Sequence, residues 1–292
     1  MVRLVKKHML LSIVLAFLFV PVYSNAGQLE DGSAALDKGQ YKKAHALLLP
    51  LAKKGDAFAQ YNLGVIYANG LGVTKNDAEA VTWYRKAAEQ GDSDAQGNLG
   101  LMYENGRGVK QDYKKAMNWY QKSAKQGNVI GQNNIAGLYF NGRGVKKNDK
   151  KAIAWYRKAA KQGNALAQNS LGGMYVKGWG VKKDVNKGLE WIMKAAKQGL
   201  PDAQKNVFSI YYKDAKQGNP GAMHNVASMC FNGWIGKQDP QKCLVWYEKA
   251  ATKGFEPSKK ALVEIYVNGH FGIPANKKKA RYWKQQRKST GK

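Results

Sequence analysis

Apolar residues recur along this chain in two alternating helical rhythms. In residues 56–91, Ala59, Leu63, Ile66 and Tyr67 fall at i, i+4, i+7 and i+8, which is one face of a helix; Ala80, Trp83, Tyr84, Ala87 and Ala88 repeat the pattern in a second. Between them lies Gly70-Leu71-Gly72-Val73. Its glycines reach positive φ without a Cβ clash, so the segment is predicted to cap the first helix and reverse the chain. The whole arrangement then returns. Gly55, Gly91, Gly127, Gly163 and Gly199 stand 36 residues apart, and so do Gly218 and Gly254. A fixed period of this length marks a solenoid, in which each helix pair buries its apolar face against its neighbours. The predicted fold is all-α, an α/α superhelical solenoid of helix pairs with 36-residue repeats.

Tyr103, Tyr139 and Tyr175 occupy the slot of Tyr67, and Trp119, Trp155, Trp191 and Trp246 that of Trp83. Gly100 and Gly172 occupy the slot of Gly64, with Ala136 in the unit between. Small residues there admit a close neighbouring helix, and the aromatics are predicted to fill the space between helices rather than to stack on a ligand. The motif Ala59-Gln60-Tyr61-Asn62-Leu63-Gly64, Tyr67, Gly70-x-Gly72-Val73, Ala80-x-x-Trp83-Tyr84-x-Lys86-Ala87-Ala88 and Gly91 resembles the Sel-one-like repeats, a branch of the tetratricopeptide superfamily. The resemblance covers nearly everything after residue 26. It implies a curved α/α superhelix acting as an adaptor for protein complexes, often in bacterial envelope signalling or host contact.

The units are not all alike. Residues 1–26 read as a signal peptide: Arg3, Lys6 and Lys7 precede an apolar run from Met9 to Val20, Pro21 breaks it, and Ser24-Asn25-Ala26 suits cleavage after Ala26. The run is too short to span about 30 Å of hydrocarbon comfortably. A periplasmic or secreted protein without a stable membrane anchor is therefore expected. Residues 27–55 form a divergent capping helix pair with Ala34, Ala35, Tyr41, Ala44 and Leu47 as periodic apolar positions; 56–199 hold four regular repeats. Residues 200–218 are a shortened repeat lacking the Gly-x-Gly-Val loop. There Phe208, Tyr211 and Tyr212 run straight into Ala215-Lys216-Gln217-Gly218, which predicts one helix, or two fused, and a place where the array divides. Residues 219–254 are a further repeat, and 255–292 the C-terminal repeat with a basic tail.

Both cysteines fall in residues 219–254: Cys230 in the slot of Tyr67 and Cys243 in that of Ala80, which face each other across a loop. An oxidising compartment favours a disulfide, with two buried thiols as the alternative. The net charge of +28, from 48 Lys and Arg against 20 Asp and Glu, favours anionic partners unless the lysines merely coat helix faces. No nucleic-acid module is recognisable, and no nucleic acid is expected as partner.

No site chemistry stands out. His8, His45, His224 and His270 are scattered without ligand spacing, so neither metal nor cofactor is expected. Cysteine-rich relatives described as binding or hydrolysing β-lactams make a hydrolase a distant alternative. The one Ser-x-x-Lys after the leader, Ser289 to Lys292, ends a basic tail without the companion motifs, so catalysis is not expected. Two binding surfaces suggest themselves. Asn62, Asn98, Asn134, Asn206 and Asn225 share one slot in the first helices, which line the concave groove in related arrays; either they bond a bound peptide or they form a ladder between units. The slot before it varies, with Tyr61 and His224 among its occupants. Loop residues Arg107, Lys110, Arg143, Lys146, Lys147, Lys182 and Lys183 are expected to stack into a basic ridge, a surface for an acidic protein or for an anionic envelope polymer such as peptidoglycan or an acidic polysaccharide. The preferred reading is a non-enzymatic adaptor that binds a protein or peptide, acidic in character, in the groove.

Overall fold

A computed structural model describes residues 27–234, 236 and 239–288. The expected leader and the Ser289–Lys292 match lie outside the described residues. Helix follows helix: α1 (27–37), α2 (Tyr41–Lys53), α3 (Ala57–Asn69), α4 (Asp77–Glu89), α5 (Ser93–Asn105), α6 (Tyr113–Lys125), α7 (Val129–Asn141) and α8 (Asp149–Lys161). Then come α9 (Ala165–Lys177), α10 (Val185–Lys197), α11 (Pro201–Lys216), α12 (Pro220–Phe231), α13 (Pro240–Thr252), α14 (Glu256–Asn268) and α15 (Lys277–Lys288). Among the described residues there is no strand beyond one isolated bridge between Trp234 and Gly236. The fold is all-α and built of adjacent helix pairs, as the periodicity predicts. Two compact units divide at Ala159 and Ala160, inside α8 and not at the shortened segment.

The helix ends follow from the repeat's polar punctuation. Asp56, Asp92, Asn128, Asn164 and Asn219 cap first helices by accepting backbone N–H bonds in the first turn; Asn76, Asp112 and Asp184 do the same for second helices. First helices α3, α5, α7 and α9 end on Gly70, Gly106, Gly142 and Gly178 in the left-handed conformation. The second loop glycine is needed for a different reason. A Cβ on Gly72 would lie 2.6 Å from the Lys42 nitrogen, and one on Gly144 2.5 Å from the Tyr113 Cβ, so each loop rests on the first turn of the preceding second helix.

In the first unit the core runs through Leu48, Leu51, Leu63, Ile66, Leu99, Tyr120, Ile135 and Leu138, all buried. Each large apolar side chain of this kind contributes about 1.5–3 kcal/mol. In the opening pair, Leu48 supplies the buried contact while Tyr41 and Leu47 are half-buried and Ala34 is exposed. The glycine slot works by close approach: a Cβ on Gly64 would meet the Tyr84 ring at 2.5 Å, and one on Gly100 the Tyr120 ring at 2.5 Å. The aromatic of the second helix thus takes the volume that the glycine leaves.

Glutamines join one repeat to the next. Gln60 Nε2 donates to the Ala52 carbonyl at 3.0 Å, and Gln90 Nε2 donates to the Gly55 carbonyl at 2.9 Å and to Gln60 Oε1 at 2.7 Å. Gln96 and Gln126 repeat this one period on, and Gln168 and Gln198 do so in the second unit. These bonds give a second donor to the Ala52, Ala88 and Ala160 carbonyls, which already accept from Gly55, Gly91 and Gly163, and a donor to the loop carbonyls of those glycines.

In the second unit, α9 and α10 form a regular pair, whereas residues 201–216 are a single helix. α11 starts like a first helix, with Ala203 and Gln204, and ends like a second one, with Ala215 before Gln217 and Gly218. Phe208 stands in its glycine slot and stacks on Tyr212 at 5.5 Å. Further on, a disulfide joins Cys230 of α12 to Cys243 of α13, with Cα atoms 5.6 Å apart.

Candidate functional site

The outward side of the first helices is the part that packing uses least, although Asp94 Oδ1 accepts from Asn128 Nδ2 at 2.7 Å and Ile130 lies against Gly97. In the first unit Phe58 is 42% exposed and Asp94 is exposed, with Ile130 half-buried; Leu166, 56% exposed, fills the same slot in the second unit. One turn further on stands the shared asparagine slot, and its members are engaged differently. Asn62 Nδ2 donates to the Phe58 carbonyl at 2.9 Å, within its own helix. Asn98 stands beside the hydroxyls of Tyr61 and Tyr84, and Asn225 beside that of Tyr211, where each partly offsets the rise that burial imposes on the tyrosine pKa. Asn206 Nδ2 donates to Asn169 Oδ1 at 3.0 Å, and Asn134 accepts from Asn133 at 3.1 Å. Among the described residues the asparagines form no uniform ladder; the glutamines link the units instead. Their 36-residue recurrence was visible in the sequence, at Gln60, Gln96, Gln132 and Gln168.

Tyr61 is half-buried against Tyr84, with ring centroids 6.1 Å apart, and burial first, then the nearby Asp94 and Asp92, raises its pKa. His224 is held from within: Nδ1 lies 2.9 Å from Ser258 Oγ and the ring packs on Tyr247 and Phe255. Burial lowers its pKa, as it does that of His45, whose Nε2 meets Tyr67 Oη at 2.9 Å. Both histidines serve as packing groups, and burial disfavours their charged form. Among the described residues no three His, Cys, Asp or Glu side chains come together in a way that could hold a metal ion.

The basic loop residues separate into two kinds. Arg107 Nη2 lies 2.6 Å from Asp77 Oδ1 and donates to the Ala68 carbonyl at 3.0 Å, tying its loop to the preceding repeat. That bond holds the Asp77 carboxyl below its ordinary pKa. Arg143 lies 3.7 Å from Glu104, and Lys147 lies 3.9 Å from Asp149. Lys110 and Lys146 are exposed in the first unit, as are Lys182 and Lys183 in the second. Many other lysines lie over rings. Lys86, Lys122, Lys158, Lys194 and Lys249 sit 4.0–4.9 Å from the centroids of Trp83, Trp119, Trp155, Trp191 and Trp246, each three residues earlier. Except for Trp83, these indoles are only half-buried, so the tryptophan slot is a lysine-covered flank rather than deep core. Much of the positive charge is therefore part of the packing.

The repeat geometry has a counterpart among known families. The model of the Sel1 repeat matches residues 57–92, 93–128, 129–164, 165–200, 220–255 and 261–286. The chain belongs to the Sel1 repeat family. Sel1 repeat proteins generally serve as non-catalytic scaffolds for protein–protein interaction. This Sel1 repeat chain is similar to a protective antigen of uropathogenic Escherichia coli strains displaying an SLR fold, at 32% identity and TM-score 0.62, over 95% of this chain and 64% of that one. It thus spans somewhat less than two thirds of that antigen's length. It is also similar to a Sel1 repeat protein from Oxalobacter formigenes, at 30% identity and TM-score 0.55, over 89% of this chain and 99% of that one. A comparison with curated proteins finds no match. The family model skips residues 201–219, which contain α11, so the Sel1 repeat pattern is interrupted where the helix pair is.

Proposed function

We propose that this chain is an exported, non-enzymatic adaptor that binds a partner protein through the outward side of its first helices. One observation carries the reading. Against a scaffold of repeated Gly, Ala, Gln, Tyr and Trp, the slot of Phe58, Asp94, Ile130 and Leu166 changes character from unit to unit while staying wholly or partly exposed. Exposed variation on a fixed scaffold is where recognition is encoded, and exposed Phe58 and Leu166 supply apolar anchors. The Cys230–Cys243 disulfide supports an oxidising compartment, consistent with the leader-like pattern of residues 1–26. No described helix is long and apolar enough to cross a membrane. The remaining exposed lysines favour an acidic partner and a fast encounter at low salt.

The test is capture from an envelope extract on the immobilised protein, at low and at high salt, with bound proteins and glycans both identified. A discrete protein retained at high salt supports the adaptor. Capture of glycan alone, lost at high salt, contradicts it and favours polymer binding at the basic loops.

A further inference from the structure

The shortened repeat leaves a core position without its cover. Ile66, Met102, Leu138, Met174, Met229 and Ile265 share one slot of the first helices, and all are buried. Ile210 holds that slot in α11 and is only half-buried. In a regular pair the second helix closes over this residue. α11 has no such partner, because residues 201–216 merge the start of a first helix with the end of a second. Phe208 in the glycine slot fills part of the vacated volume, and the rest stays open.

What stays open is two adjoining cavities of about 370 and 400 Å³, both lined by Val176, Lys177 and Ile210. Val185 extends the apolar floor on one side and Trp179 on the other; they are 39% and 44% exposed. This volume takes one or two large side chains, the scale of a small-ligand pocket, and not a replacement helix. Lys177, Lys183 and Lys213 stand exposed at the edge, opposed by the single acid Asp214. An apolar floor inside a cationic rim selects an apolar group that carries negative charge beside it.

We propose that the shortened repeat is a docking cleft for an acidic peptide segment bearing a bulky apolar side chain, which seats on Val176 and Ile210 while neighbouring carboxylates meet Lys177, Lys183 and Lys213. This rests on the reading of the chain as a protein-binding scaffold, and adds a location and a chemistry to it. Buried apolar contact supplies the anchor, and the lysines supply selectivity and salt sensitivity.

The experiment selects short random peptides displayed on phage against the purified protein. The enriched sequences are synthesised and their affinities measured for three forms: the unaltered protein, Ile210→Trp, which fills the cleft, and Lys177→Glu with Lys213→Glu. The two lysines are exposed, so the charge variant keeps its fold, as helical circular dichroism will show, even if Ile210→Trp does not. The expected peptides place Phe, Leu or Trp beside Asp or Glu and lose about tenfold or more in affinity on lysine reversal. Peptides without acids, peptides indifferent to both variants, or no enrichment at all would overturn the cleft. Peptides that ignore the cleft variants but are lost on Phe58→Asp would leave the adaptor reading standing and refute only this inference.

Discussion

Residues 93–128 and residues 219–254 share a left-handed glycine at the turn but tie its two sides together by different means. In the first, α5 ends on left-handed Gly106, the Asp112 N–H returns to the Tyr103 carbonyl at 2.9 Å, and Arg107 clamps the loop to Asp77. In the second, α12 stops a residue earlier, at Phe231, yet Gly233 in the matching slot is still left-handed at φ 72° and the Trp234 N–H returns to the Met229 carbonyl at 3.1 Å. The tyrosine slot holds Cys230, bonded to Cys243, and Trp234 stands where the clamping arginine would be. What the repeat requires is a tie between the end of one helix and the start of the next. Both turns keep the left-handed glycine; where the tyrosine and the arginine clamp are lost, a covalent bond takes their place.

The largest effect tests that substitution. Cys243→Ser, or reduction of the native protein, should cost about 3 kcal/mol for a loop of this length and lower the melting temperature of the second unit. Unchanged melting under reductant would show that the bridge is incidental. Next comes the glycine slot: Gly100→Val drives a side chain into the Tyr120 ring and should cost about 2 kcal/mol, read from denaturant midpoints. Phe208→Gly, at the same slot in α11, should also destabilise, because no second-helix aromatic is there to occupy the space. The same residue type is thus required in one repeat and harmful in the other.

Acid should weaken the molecule in two stages. His45 and His224 have pKa values lowered by burial, so the unfolded chain takes up protons first; stability is full above about 6.5 and falls as pH drops through that value. Asp77, held low by the bond from Arg107, adds a second loss below about 3.8. A melting temperature that rises on acidification from pH 7 to pH 5 would contradict the packing assigned to the histidines. Smallest is the loop clamp. Arg107 is 42% exposed, so Arg107→Ala should cost under about 1 kcal/mol, and Lys110→Ala less than about 0.5 kcal/mol. Equal effects from the two would remove the distinction drawn between clamping arginine and free-standing lysine positions.

Much of this was legible in the sequence. The period, the helix pairs, the glycine loop and the close approach at Gly64 and Gly100 follow from residue type and spacing alone, because each is a local or nearest-neighbour requirement repeated several times. The binding surfaces were less legible. Asparagine recurs in its slot, yet Asn206 reaches Asn169 and Asn134 accepts from its neighbour Asn133 while Asn62 bonds its own helix; one residue type serves several geometries, and spacing does not distinguish them. His224 varied from its neighbours because Ser258 and two rings accommodate it, not because it faces outward. Loop charge overstated the ridge for the same reason: Arg107, Arg143 and Lys147 have acidic partners that lie far along the chain or across a turn. The glutamine links were visible as a pattern, but only their distances showed that they join repeats.

The central claim is that recognition lies on the outward side of the first helices rather than on the basic loops. The most direct measurement is the affinity of the captured partner for Phe58→Asp with Leu166→Asp, set beside Lys110→Glu with Lys146→Glu, at physiological salt. The account requires the first pair to lose affinity by about tenfold or more and the second to slow association with little change in dissociation. Loss confined to the lysine pair, with the apolar pair binding normally, would contradict it.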